Sequence, residues 1–192
     1  MEKRHPYRKK FTEGLLDIDL ILKVLNITPG QTILDVGCGT GYMSKLFSHV
    51  VARFGKVYAL DPDKYFIKVL KNETQGTNIT VVEGDITKST QIKPSSIDLI
   101  YVSMVIHCFS KKQMQGFLGE SKRLLKPGAT LSIVEIEKKE TLFGPPVESR
   151  YSAEELKEIV PLTAVNTVQV GEHFYMYIFQ NKKSGNYTGC HP

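Results

Sequence analysis

At 192 residues, with 41% hydrophobic and 23% charged side chains, the chain has the size and composition of one globular domain. No apolar run approaches the ~20 residues of a membrane helix and the N-terminus has no signal-peptide core, so no membrane insertion and a cytoplasmic location are expected, in keeping with only three cysteines and no C-x-x-C spacing. The net charge of +5 sits mostly in residues 1–10, where Lys3, Arg4, Arg8, Lys9 and Lys10 face only Glu2, so the near-neutral body argues against a nucleic-acid partner.

Residues 1–11 read as a basic leader, 12–183 as the folded domain and 184–192 as a tail. Apolar residues at Leu15, Ile18, Leu22 and Leu25 predict a helix over Thr12–Asn26, ended by Thr28-Pro29-Gly30. Thr32–Val36 predicts the first strand. It runs straight into Gly37-Cys38-Gly39-Thr40-Gly41-Tyr42, where alternate glycines let the backbone turn sharply and approach a ligand. Met43, Leu46, Phe47, Val50 and Val51 then mark an amphipathic helix. Val57–Leu60 is a short strand, and Asp61-Pro62 reads as the N-cap and first-turn proline of a helix reaching Asn72.

Ile79–Val82 and Ile97–Val102 are the third and fourth strands, joined by a polar stretch without a helix signal. Ser110 and Gln113 have capping-box spacing and open a helix that buries Met114, Phe117, Leu118, Leu124 and Leu125, with Lys126-Pro127-Gly128 as its stop. Thr130–Ile136 is the fifth strand, and the irregular Glu137–Tyr151 is the longest loop. Ser152 and Glu155 form a second capping box for a short helix ending before Pro161. Val165–Val170 and Phe174–Gln180 lie too close together for a helical crossover, so they predict an antiparallel hairpin.

Strands alternating with helices predict an open, mostly parallel α/β sheet covered on both faces, with the hairpin at one end. Such sheets bind ligands beyond the carboxyl ends of their strands. There the residues after each strand converge: Gly37–Gly41, then Asp61, then Gly84-Asp85, then Ser103–His107. The glycine spacing Gly-x-Gly-x-Gly is one residue shorter than the dinucleotide fingerprint.

With Leu34-Asp35-Val36-Gly37-Cys38-Gly39-Thr40-Gly41, Ala59-Leu60-Asp61-Pro62-Asp63, Glu83-Gly84-Asp85-Ile86, Ile97-Asp98-Leu99-Ile100 and Leu125-Lys126-Pro127-Gly128-Ala129 in this order, the chain resembles class I S-adenosylmethionine-dependent methyltransferases over roughly residues 12–182. Among them it is similar to the small single-domain type that includes the menaquinone- and ubiquinone-biosynthesis methyltransferases. The resemblance implies a Rossmann-like seven-stranded sheet in the order 3-2-1-4-5-7-6 and S-adenosyl-L-methionine as cofactor.

By that resemblance Asp35 and the loop Gly37, Cys38, Gly39 and Gly41, with Tyr42, would hold the amino-acid end of the cofactor. Asp61, followed by Pro62, would bind the ribose hydroxyls, since an ionised carboxylate only accepts. Gly84, Asp85 and Ile86 would read the adenine, whose faces Leu60 and Ile86 would flank, and Ser103 would complete the set. Simpler roles stand beside these: Asp35 as a cap for the next turn, Asp61 as an N-cap, Asp85 as turn chemistry. Cys38 reads as a packing residue rather than a nucleophile.

His107 is the candidate catalytic base, an imidazole able to accept a proton near neutrality. Glu135 is a weaker candidate, as apt to face solvent. Tyr42, Phe143 and Tyr151 are candidate walls of an acceptor pocket. Val102–Cys108 holds no acidic metal ligands, and no metal is expected. A small-molecule acceptor is the reading. A nicotinamide-dependent oxidoreductase, a catalytically silent partner subunit and a methyltransferase acting on RNA or protein are the alternatives, and the oligomeric state is open.

Overall fold

Strands β1 (Thr32–Val36), β2 (Lys56–Asp61), β3 (Ile79–Glu83), β4 (Ile97–Ser103) and β5 (Leu125–Ile136) pair in parallel, and the hairpin of β6 (Thr163–Gly171) and β7 (Phe174–Gln180) adds to β5 in antiparallel sense. The order is β3-β2-β1-β4-β5-β7-β6 in one seven-stranded sheet, as expected. The structure is a computed structural model describing residues 14–182. The basic leader, the predicted helix start at Thr12 and the tail with Cys190 lie outside the described residues.

Strand alternation divides the core into two layers. Leu34, Val36, Ile100, Val102, Leu131 and Ile133 face α4 (Lys111–Leu124) and α5 (Ala153–Ile159). Ile33, Ala59, Leu99, Tyr101, Val134 and Ile136 face α1 (Ile18–Leu25), α2 (Tyr42–Val51) and α3 (Lys64–Glu73). Helices therefore cover both faces. Both capping boxes form as their spacing predicts, Ser110 with Gln113 and Ser152 with Glu155.

Three boundaries differ from the sequence reading. Helix α1 begins at Ile18, because the Asp17 carboxylate caps it by accepting the Leu20 amide; Ile21 is its buried residue, while Leu15 stays partly exposed before the helix. Helix α3 is capped by Asp63, whose side chain accepts the Tyr65 amide, and not by Asp61, which is still in β2. Helix α4 does end just before Lys126-Pro127-Gly128, but β5 starts earlier than Thr130: it begins at Leu125, paired with Ile97, and these residues occupy a register shift before Thr130 joins Leu99.

Candidate active site

The strand order reverses beside β1, whose neighbours are β2 and β4, so a crevice opens over the carboxyl ends of these strands. Backbone bonds stitch its floor. The Gly37 and Cys38 amides both donate to the Leu60 carbonyl (2.8 and 3.1 Å), and the Gly84 amide donates to the Asp61 carbonyl (3.1 Å). Asp61 joins the pieces: its Oδ2 accepts from the Gly39 amide (2.9 Å) and its Oδ1 from the Asp63 amide (2.8 Å). Burial, opposed by these two amides, raises the Asp61 carboxyl above its ordinary value. The residues predicted after β1, β2 and β3 thus come together.

The glycines of the loop differ in purpose. A Cβ on Gly37 would stand 2.4 Å from the Val105 side chain, and one on Gly41 2.4 Å from Leu70, so these two admit close packing. Gly39, at φ +51°, would meet nothing within 4 Å. Its bare backbone faces open space at the mouth of the crevice, where a bound ligand can approach it.

Asp35, only 3% exposed, lies beneath the loop and accepts a 2.5 Å hydrogen bond from the Ser44 hydroxyl of α2. Burial pushes its carboxyl up to about 7, against the lowering effect of the Ser44 hydroxyl and amide and with a smaller upward push from the Asp61 charge. Asp35 therefore also ties down the start of α2. Ser44, buried and nine residues away, carries no sequence signal for this role. Beside Asp35 in register, the buried Tyr101 hydroxyl has no well-formed hydrogen-bond partner; Ser103 is near enough only to influence its ionisation. Burial, then the Asp35 and Asp61 charges, push the Cys38 thiol far up, which keeps it protonated and a poor nucleophile.

Asp85 accepts from the amide and hydroxyl of Thr87 (2.9 and 2.7 Å), and Lys88 pairs with it at 3.2 Å. Burial would raise its carboxyl, but the Thr87 bonds and Lys88 outweigh that and hold it below the usual range. Ile86 turns into the core beside Leu60. The connection 84–96 contains no helix; it is held against α4, where a Cβ on Gly116 would come within 2.1 Å of the Thr87 carbonyl. Glu120 Oε1 accepts from the amide and hydroxyl of Thr90 (2.8 and 2.7 Å), and Arg123 reaches the Thr90 and Ile92 carbonyls while pairing with Glu120.

Past β4 the chain turns at Met104 (φ +57°) into a 3₁₀ turn, Ile106–Cys108. Glu135 organises this turn. It is 1% exposed, so of the two readings the sequence left open it does not take the solvent-facing one, because β5 directs its side chain to the α4 face. Its Oε1 accepts from the Val105 and Ile106 amides (3.1 and 3.0 Å), and its Oε2 lies 2.9 Å from His107 Nδ1. The three candidate wall residues are not brought together as one wall. Phe143 packs on His173 and Phe174 with the α1–α3 layer, whereas Tyr151 packs with the α4–α5 layer. Arg150, buried, holds the 137–151 loop by donating to the carbonyls of Pro145, Glu137, Lys139 and Phe143 and to the Thr141 hydroxyl.

Among the described residues no group of three or more His, Cys, Asp or Glu side chains could hold a metal ion, and no helix is long and apolar enough to cross a membrane. The crevice instead suits an adenosyl compound. Bare backbone at Gly39 admits its close approach, and Asp61 keeps lone pairs beyond those its two amides use.

Comparison with known proteins agrees. The family model for the methyltransferase domain matches residues 34–133. The chain is 28% identical over 123 residues to the demethylmenaquinone methyltransferase of Oceanobacillus iheyensis, covering 64% of this chain and 51% of that protein. It is 28% identical over 116 residues to a ubiquinone/menaquinone biosynthesis C-methyltransferase of Hahella chejuensis, covering 58% and 45%. The chain thus spans about half the length of these curated relatives. A solved S-adenosylmethionine-dependent methyltransferase from Aquifex aeolicus superposes with a TM-score of 0.80 at 28% identity, covering 90% of this chain and 93% of that one. Glycine loop, acidic β2 terminus, sheet order and family match converge: the chain belongs to the methyltransferase-domain family, in the class I S-adenosylmethionine-dependent branch.

Proposed function

We propose that the protein transfers the methyl group of S-adenosylmethionine to a small-molecule acceptor. The observation that carries this reading is the junction of Asp61 with Gly39, where a carboxylate with spare lone pairs adjoins backbone left bare by a missing Cβ. Asp61 takes the ribose hydroxyls there, and the Asp85–Ile86 edge borders the adenine. Asp35 meets the cationic amino group. Bound in this way, the donor supplies an electrophilic methyl group on a sulfonium sulfur. The protein's own work is to exclude water and hold the acceptor atom in line with that methyl.

The turn Ser103–Phe109, with His107, forms the acceptor side of the site in this reading. Because the curated relatives are named for quinone biosynthesis, reduced demethylquinones are the first acceptors to assay. Calorimetry with S-adenosylhomocysteine, with NADH as the rival ligand, tests the cofactor; labelled-methyl transfer onto a panel of small molecules tests the activity. Saturable NADH binding with none for S-adenosylhomocysteine would overturn the proposal. Cofactor binding without labelling of any acceptor would favour a silent partner subunit.

A further inference from the structure

We infer that Glu135 and His107 form a carboxylate–imidazole pair that receives a proton from the methyl acceptor, so the acceptor is a nucleophile carrying a dissociable proton. Glu135 is the positioning residue and His107 Nε2 the atom that takes the proton. The acceptor class rests on the methyltransferase reading; the state of the pair does not.

The geometry is directional. A carboxylate this deeply buried is costly unless its oxygens are met by donors. Two of those donors are the Val105 and Ile106 amides, which can only donate and which both bind Oε1. Oε2 is left to His107 Nδ1 at 2.9 Å. An ionised Glu135 therefore places the imidazole hydrogen on Nδ1 and the lone pair on Nε2. His107 is 13% exposed, and its Nε2 has no hydrogen-bond partner among the described residues. Capping the turn would require only the two amides; holding the imidazole as well fixes which nitrogen is basic.

The proton balance is simple. The acceptor's X–H bond breaks with its electron pair kept on X, the atom that gains the methyl. An N–H bond forms at Nε2, and the resulting imidazolium lies beside the Glu135 charge. Acceptors that lose no proton on methylation, such as thioethers, gain nothing from this pair.

Glu135→Gln tests it. The amide oxygen must stay on Val105 and Ile106, so the NH₂ turns to His107, donates to Nδ1 and drives the ring hydrogen onto Nε2. The turn is kept and the lone pair moves to the wrong nitrogen. In histidine-¹⁵N-labelled full-length protein, with the His107 signals assigned by their loss in His107→Gln, the expected result is the Nδ1–H tautomer in the wild type and the Nε2–H tautomer in Glu135→Gln. The dissociation constant for S-adenosylhomocysteine should stay within about two-fold, while turnover with any acceptor found falls about 100-fold or more. An Nε2–H tautomer in the wild type, a result that needs no variant, would overturn the inference, as would an unchanged tautomer in folded Glu135→Gln. A wild type that fails to bind S-adenosylhomocysteine would instead overturn the methyltransferase reading and the acceptor class with it.

Discussion

Asp61 accepts the Gly39 amide at 2.9 Å across 22 residues of chain, so the carboxylate proposed for the ribose also sets the midpoint of the glycine loop. Both its oxygens already accept from amides. Asparagine is therefore no substitute, because its NH₂ would oppose one of those donors. Asp61→Ala and Asp61→Asn should each weaken S-adenosylhomocysteine binding by about 10- to 100-fold, on the order of 1.5–3 kcal/mol. Calorimetry on the folded variants measures this, and an unchanged dissociation constant would retire Asp61 from the role.

Gly39→Ala separates strain from occlusion. An alanine at φ +51° costs about 1–2 kcal/mol of stability, and so does Gly128→Ala at φ +85°, where a Cβ likewise meets nothing within 4 Å. The methyl group added by Gly39→Ala, however, fills the ground proposed for the cofactor. Thermal melts should show similar losses for the two variants, and only Gly39→Ala should lose S-adenosylhomocysteine binding. Equal binding by both would show that Gly39 does not border the ligand.

Asp35 gives the protein a pH signature. With its carboxyl at about 7 when folded against 3.8 for the ordinary group, the folded protein holds a proton between roughly pH 4 and 7 that the unfolded chain releases. Its contribution to stability is therefore full below pH 4 and is lost as the pH rises through 7, a total on the order of 4 kcal/mol. Asp35→Asn keeps an acceptor for Ser44 and should remove this slope. Chemical denaturation of both proteins from pH 4 to 8 isolates it as a difference, and parallel curves would place the proton elsewhere. If Asp35 meets the cationic end of the donor, wild-type affinity for S-adenosylhomocysteine should also rise as the pH passes 7.

Arg150 holds the long loop almost entirely through backbone carbonyls. Arg150→Ala leaves these acceptors without their charged donor and should cost on the order of 3 kcal/mol. Amide exchange should quicken across residues 137–147 while S-adenosylhomocysteine binding persists. Unchanged exchange there would mean that the loop holds its shape without the guanidinium.

Features set by neighbours in sequence were legible without coordinates. The capping boxes at Ser110 and Ser152, the glycine loop after Val36 and the short link before Phe174 each report on a few adjacent residues, and each appears as read. The misreadings came from competition between near-identical local signals or from partners distant in sequence. Asp61 and Asp63 both suit an N-cap, and only the pairing of Asp61 with Glu83 in the sheet shows which one lies in the strand. For Glu135 the sequence could not choose between the site and solvent, because its partners, Val105, Ile106 and His107, lie 28 to 30 residues earlier. Ser44 and Arg150 were silent for the same reason: their roles exist only once the sheet brings loops together.

The segment from Gly84 to Ser96 builds one rim of the crevice with no hydrogen-bonded helix of its own. Its stiffness is borrowed from α4, through Gly116 against Thr87 and the Glu120–Arg123 clasp on Thr90 and Ile92. If the Asp85–Ile86 edge borders the adenine as proposed, nucleobase fit depends on how firmly α4 holds this segment. A change on α4 that slackens this brace should register first as poorer discrimination among nucleosides, well before the domain as a whole loosens.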